Sequence, residues 1–307
     1  MLVCGYAQRK SDFVALEDSI VKLHRSIMTE RNSAIRYQQN EKLLYVLEET
    51  LGLNNSISYP FDSIKTIAVV ASPDKKVRIF TWYLVDDKGV HEHYGFVQAY
   101  NEVQKRYMVY PLIDKWRKVE KPSAKLLSCN NWFGALYTKL IEVKGSNGTY
   151  YTLLGWNGGT IFSQYKIIEV LTFNQDGKPV FGLQVFRNYG KDRPVRIVFE
   201  YAKKGFMHLN YEKQTYTQRS ATKNKKTKQY TIEKITADMI VFNRLIPIQE
   251  GLPNNMPQIM VGEASLNDAF IERDGKWFFK ADVIATNPAK PLPIFQHKKK
   301  DYYTPIN

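Results

Sequence analysis

Hydrophobic and polar residues alternate every second position along most of this chain. In residues 195–201, Val195, Ile197, Phe199 and Tyr201 fall on one side, and Arg196, Val198 and Glu200 on the other. A period of two marks an extended strand. Similar runs, punctuated by glycine turns, occur at 150–156, 161–173, 180–186 and 206–211, with Asn147-Gly148, Asn157-Gly158 and Asp176-Gly177 between or beside them. Upstream the pattern predicts strands at 64–70, 77–85, 90–99 and 107–113. Ser72-Pro73-Asp74 and Asp86-Asp87-Lys88-Gly89 supply hairpin chemistry between them. Further strands are predicted at 132–143, 229–234, 239–245 and 269–283, the last folded at Arg273-Asp274-Gly275.

The first fifty residues follow a different period. Phe13, Leu16, Ile20, Leu23 and Ile27 are three or four apart, and Leu44, Leu47 and Leu51 resume the spacing before Gly52. This predicts two helices, 12–28 and 34–51, with Ser11 or Asp12 as a cap, packed on one face of a sheet. The fold class is therefore mainly β: antiparallel sheets, as packed sheets or an open barrel, behind two N-terminal α-helices. About a dozen strands are expected in one unit. No period of about 40–50 residues is sustained, which makes a propeller the weaker alternative.

Between the strand runs, residues 114–130 are polar, contain Pro122 and read as a link between two sheets or two halves. Residues 247–260 form a long loop rich in Pro, Asn and Gly, a type that often carries function. The expected organisation is a signal-peptide remnant at 1–7, a single β-rich domain at 8–285 and an extended tail at 286–307 bearing Pro288, Pro291, Pro293 and Pro305.

Composition sharpens this picture. The 307 residues are 44% hydrophobic and 13% aromatic, with twenty tyrosines and sixteen phenylalanines, so a large core is available. The net charge is +14, with dense clusters at 219–228 (RSATKNKKTK) and 297–300 (HKKK). Both read as exposed loop or tail. The basic residues are otherwise spread along the chain, which argues against nucleic acid and suits an acidic envelope surface or a polyanionic glycan.

Gly5-x-Ala7 has the small-x-small form of a signal-peptidase site, with Gln8 as the first mature residue. The apolar run before it is short, so the expectation is the tail of a signal peptide that starts upstream, and a periplasmic or secreted protein. Val3 makes Cys4 a poor lipoprotein site. Cys129 would then be the sole mature cysteine, a structural thiol without an identifiable base. No apolar run is long enough to span a membrane as a helix.

The chain contains no Walker loop, dinucleotide fingerprint, HExxH, GxSxG or paired CxxC, and nothing in it calls for a cofactor. His91 and His93 would share a strand face about 6.5–7 Å apart, a spacing one metal ion can use, although a surface hairpin explains them without metal. Glu169, Glu200 and Glu212 lie in successive strand regions and could supply a glycosidase pair. Cross-strand pairing with Lys or Arg is the simpler account. Trp156 and Asn157 are the candidate ligand-binding residues, the indole to stack on a sugar and the amide to bond its hydroxyls. A core tryptophan beside a tight Asn-Gly turn is the competing account. Trp82, Trp116, Trp132 and Trp277 read as core or hairpin residues.

Several segments together resemble a group of exported proteins of the Bacteroides type that has no assigned activity. They are 153–158 (LLGWNG), 166–173 (KIIEVLTF), 176–182 (DGKPVFG), 196–201 (RIVFEY), 58–63 (SYPFDS) and 72–82 (SPDKKVRIFTW). The resemblance covers most of residues 10–285 and implies a cell-envelope protein, and it transfers no functional residue. The expected function is a non-catalytic binding or assembly protein for an envelope glycan or protein partner. A polysaccharide hydrolase using the central-strand carboxylates is the alternative.

Overall fold

The computed structural model describes residues 10–223 and 226–283. The predicted signal-peptide remnant and the C-terminal tail lie outside the described residues.

Two helices open the fold, α1 (Lys10–Thr29) and α2 (Ser33–Gly52), each within two residues of its predicted bounds. Asn32 caps α2 by accepting from Ile35 N at 3.1 Å. The buried stripe of α1 is Phe13, Glu17, Ile20, His24 and Ile27. Its two polar members reach the loop that follows the helices. Glu17 accepts from Tyr59 Oη and Ser63 N, each at 2.6 Å, and His24 Nδ1 lies 2.6 Å from Thr66 Oγ1.

The first sheet is a meander of β1 (Ala68–Ala71), β2 (Val77–Val85), β3 (His91–Asn101) and β4 (Arg106–Ile113). Residues 114–126 then carry the chain to a second sheet, within the polar 114–130 segment that read as a link between two sheets or two halves. There it forms β5 (Leu127–Ser128), β6 (Leu136–Gly145), β7 (Gly148–Asn157), β8 (Ser163–Phe173) and β9 (Pro179–Phe181). After β9 the chain places β10 (Phe186–Arg187) in a third sheet and returns with β11 (Ile197–Ala202) to pair β8. The third sheet is completed by β12 (Leu209–Lys223), β13 (Tyr230–Pro247), β14 (Met260–Arg273) and β15 (Lys276–Lys280). Among these strands, β10 and β15 pair in parallel and the rest are antiparallel.

The elements stack as four layers. The helices cover one face of the first sheet through Ile20, Leu43, Leu47, Phe80, Trp82 and Phe96. Asn40, fully buried, accepts from Trp82 Nε1 at 2.7 Å and fixes the helix pair on the sheet. The other face meets the second sheet through Ile79, Val97, Trp132, Tyr137, Leu153 and Ile167. The second sheet turns its far face to the third through Ile168, Val170, Ile197, Phe242, Phe270 and Trp277. The second sheet is covered on both faces, so both sides of β7 and β8 are largely buried.

The mainly β class, with antiparallel packed sheets behind two N-terminal helices, is as the periodicity predicts, and the details differ. Among the described residues there are fifteen strands, against about a dozen expected, in three stacked sheets without a closed barrel. The run at 180–186 breaks into β9 and β10 because Gly182 sits at φ +106. The strand expected from Trp132 starts at Leu136, since Trp132 instead bridges Asp114. The strand expected at 206–211 begins at Leu209 and continues to Lys223. The runs at 229–234 and 239–245 are one strand, β13. The basic cluster at 219–228, expected as a loop, lies on the end of the β12–β13 hairpin. Pairing that runs from Leu209–Phe242 to Arg219–Ile232 and, after a register shift, to Lys223–Tyr230 overrides the weak propensity of its lysines and threonines.

Candidate functional site

His91 and His93 occupy the inner face of β3, with ring centroids 6.5 Å apart, the separation that strand geometry requires. They are not on an exposed hairpin. Both are buried between the first two sheets, in an aromatic cage. Tyr83 lies 5.1 Å from the His91 ring, Trp156 lies 5.4 Å from it edge-on, and Trp132 lies 6.4 Å from His93 at 90°.

Asp114 is the hub beneath this cage. Its carboxylate accepts from the His93 backbone N–H and stands 2.9 Å from His93 Nδ1. It also accepts from Trp116 N at 2.9 Å and Gly134 N at 3.2 Å. A Cβ on Gly134 would sit 2.2 Å from that carboxylate, so glycine is required there. Among the described residues no group of three or more His, Cys, Asp or Glu side chains could hold a metal ion.

Trp156 and Asn157 close the cage from the second sheet. The Trp156 indole is half-buried, stands edge-on to Tyr83 at 5.5 Å and donates to Gln164 Oε1 at 2.9 Å. Asn157 is fully buried. Its amide nitrogen donates to Gly134 O at 2.7 Å and its oxygen accepts from Gly159 N at 2.7 Å, so both polar groups hold the turn. Gly158 has a reason beyond turn chemistry: a Cβ there would lie 2.0 Å from the His91 ring. Lys203 Nζ donates to Gly158 O at 2.6 Å. Burial, then the Lys203 and His93 charges, lower the His91 pKa to about 4.

The three candidate carboxylates are not brought together. Glu169 and Arg196 are fully buried and paired at 2.7 Å. Burial pushes the Glu169 carboxyl up against the downward pull of Arg196. Arg196 also donates to the carbonyls of Pro122, Lys125 and Phe181, so one guanidinium ties β8, β9, β11 and the inter-sheet link. Glu200 lies four residues further along β11, roughly 13 Å from the pair. Glu212 belongs to the third sheet and stands 3.8 Å from His208 Nε2. Cys129 is a free thiol whose pKa burial raises to about 12, as befits a structural cysteine.

Just outside the cage lies an open cleft of about 580 Å³, lined by Trp116, Arg117, Thr160, Phe162, Ser163, Tyr165, Glu200 and Gln258. The cage builds its walls. Trp116 follows the Asp114 hub and donates its indole N–H to His91 O at 3.1 Å. The 157–159 turn projects Phe162, which is 68% exposed. Trp116 and Tyr165 meet at 5.5 Å. Glu200 accepts from Ser163 Oγ at 2.5 Å, and its charge, after burial, raises the Tyr165 pKa. Gln258 comes from the 248–259 loop singled out in the sequence. Trp82, Trp132 and Trp277 are core residues, as read from the sequence, whereas Trp116 is half-buried at this cleft. Sequence reasoning missed Phe162. Its signal was two large apolar residues, Ile161 and Phe162, one residue after a Gly-Gly turn, where nothing local requires them.

The chain matches no protein-family model, no curated protein and no solved structure. No helix among the described residues is long and apolar enough to cross a membrane.

Proposed function

We propose that this is a non-catalytic, exported binding protein of the cell envelope, and that the cleft beside Trp116 and Phe162 holds a sugar-type ligand. One observation carries the reading: a large aromatic ring, Phe162, stands 68% exposed beside the Trp116–Tyr165 pair. What sets this ring apart is its place beside two further aromatics in a cleft, where it offers a face on which a pyranose can stack. Arg117, Thr160, Glu200 and Gln258 around it provide donors and acceptors of the kind that bond ring hydroxyls. Glycoside hydrolysis needs two carboxyl groups within about 5–10 Å. Glu200 is the one carboxylate among the described residues lining this cleft, which favours binding over cleavage. The Gly5-x-Ala7 site and the resemblance to exported proteins support the envelope location.

The test is a glycan and envelope-fraction binding screen on protein beginning at Gln8. A sugar that binds wild type should lose about two- to tenfold in affinity in Phe162→Ala, with Tm unchanged, since a stacking ring contributes about 0.5–1.5 kcal/mol. Unaltered affinity in that variant would remove the cleft from the reading. Release of shorter oligosaccharides would move the protein to the hydrolase class.

A further inference from the structure

The β12–β13 hairpin outruns its sheet. β13 takes β14 as a partner only from Met239 onward, yet it pairs with β12 out to Lys223–Tyr230. From Lys213–Asp238 to the tip the arm is a two-stranded ribbon, about 30 Å long. One face of its base is covered: Tyr216, Ile235 and Ala237 pack with Ile271 and Val283. Strand alternation places Tyr230, Ile232, Lys234 and Thr236 on the opposite face, which continues that of Ile240 and Phe242 beyond the second sheet and is exposed at these four residues.

That outer face combines two features. It is basic: Lys213, Lys223, Lys226, Lys228 and Lys234 are all exposed, against two acidic residues on the arm, Glu233 and, opposite Lys213, Asp238. It is also apolar toward its end. Ile232 is 76% exposed and Tyr230 40%, with Lys223 Nζ 5.5 Å from the Tyr230 ring centroid. A soluble polyanion would use the lysines and leave the isoleucine idle. A lipid headgroup layer uses both, since ammonium groups meet anionic headgroups while short apolar side chains enter the interface. Lysines also supply point charges without the planar fork that base recognition exploits.

We propose that this arm docks the protein on an anionic lipid surface, with Ile232 and Tyr230 entering the interface and the flanking lysines pairing with headgroups. The inference stands apart from the sugar reading of the cleft.

The test is co-sedimentation of the full chain with vesicles of phosphatidylcholine alone and of phosphatidylcholine mixed with phosphatidylglycerol. The mixed vesicles should bind at least about tenfold more protein, and the difference should shrink as salt is raised. Each of Lys226→Ala and Lys228→Ala should lose about fivefold. Ile232→Ser should lose several-fold while keeping the salt dependence. Phe162→Ala should bind vesicles like wild type, which separates this outcome from failure of the cleft. Equal binding to neutral vesicles overturns the proposal, as does full retention of binding in Ile232→Ser. So does displacement from vesicles by duplex DNA or a sulfated polysaccharide that binds wild type and Ile232→Ser equally.

Discussion

Two hairpins of this protein have the same local construction and opposite surroundings. The β7–β8 hairpin lies in the middle layer, where its residues Leu153, Leu154, Ile167, Ile168 and Val170 are all at 2% exposure or less. Among the described residues no layer covers the outer face of the distal half of β12–β13, and there Ile232 stands 76% exposed. Hydrogen bonding builds the ladder in both. What differs is the layer stacked on each face, and with it the meaning of a charged residue. In the middle layer Arg196 is satisfied by a carboxylate and three carbonyls and works as a fastener. On the arm the lysines are exposed.

This contrast sets the size of mutational effects. The largest is expected at the fastener. Arg196→Ala leaves Glu169 charged and buried, and should cost about 3–5 kcal/mol in urea unfolding. The pair Arg196→Met with Glu169→Leu should recover most of that loss, because it removes both charges together. A single variant no worse than a surface substitution would break the comparison.

Acid tests the inner layers next. Burial lowers His24 and His91 to about 4. Their unfolded value is about 6.5. The unfolded chain therefore binds more protons between those values, so stability is full above about pH 6.5 and falls as pH drops toward 4. The loss is on the order of 2 kcal/mol for each histidine after allowance for solvent screening. Thermal melts across that window should show it, and His24→Gln should flatten the slope by about half. The smallest effect belongs to the arm: Ile232→Ser should shift stability by less than about 0.5 kcal/mol. A large change there would mean that the outer face is covered.

Some of the site was readable before any coordinates. The strand period placed His91 and His93 on one face, and the Asn-Gly dipeptide gave the turn at 157–158. Turn chemistry also accounted for Asn157, whose amide is consumed by backbone partners. The cleft was not readable. Trp116, Phe162, Glu200 and Gln258 come from four separate segments, and only the approach of β8, β11 and the 248–259 loop to the inter-sheet link makes them neighbours. Nor did the pattern show that β12 and β13 run on past their sheet, since lysines and threonines at a hairpin end resemble a loop in sequence.

The sequence alone determined the antiparallel β character, the two opening helices and the positions of most turns, because these follow from local periodicity and from residues that tolerate tight backbone. The stacking of three sheets, the burial of Arg196 and the exposure of Phe162 were decided by tertiary structure. A side chain's alternation says which neighbours it shares a face with. Whether that face meets another layer or water depends on segments far away in the chain.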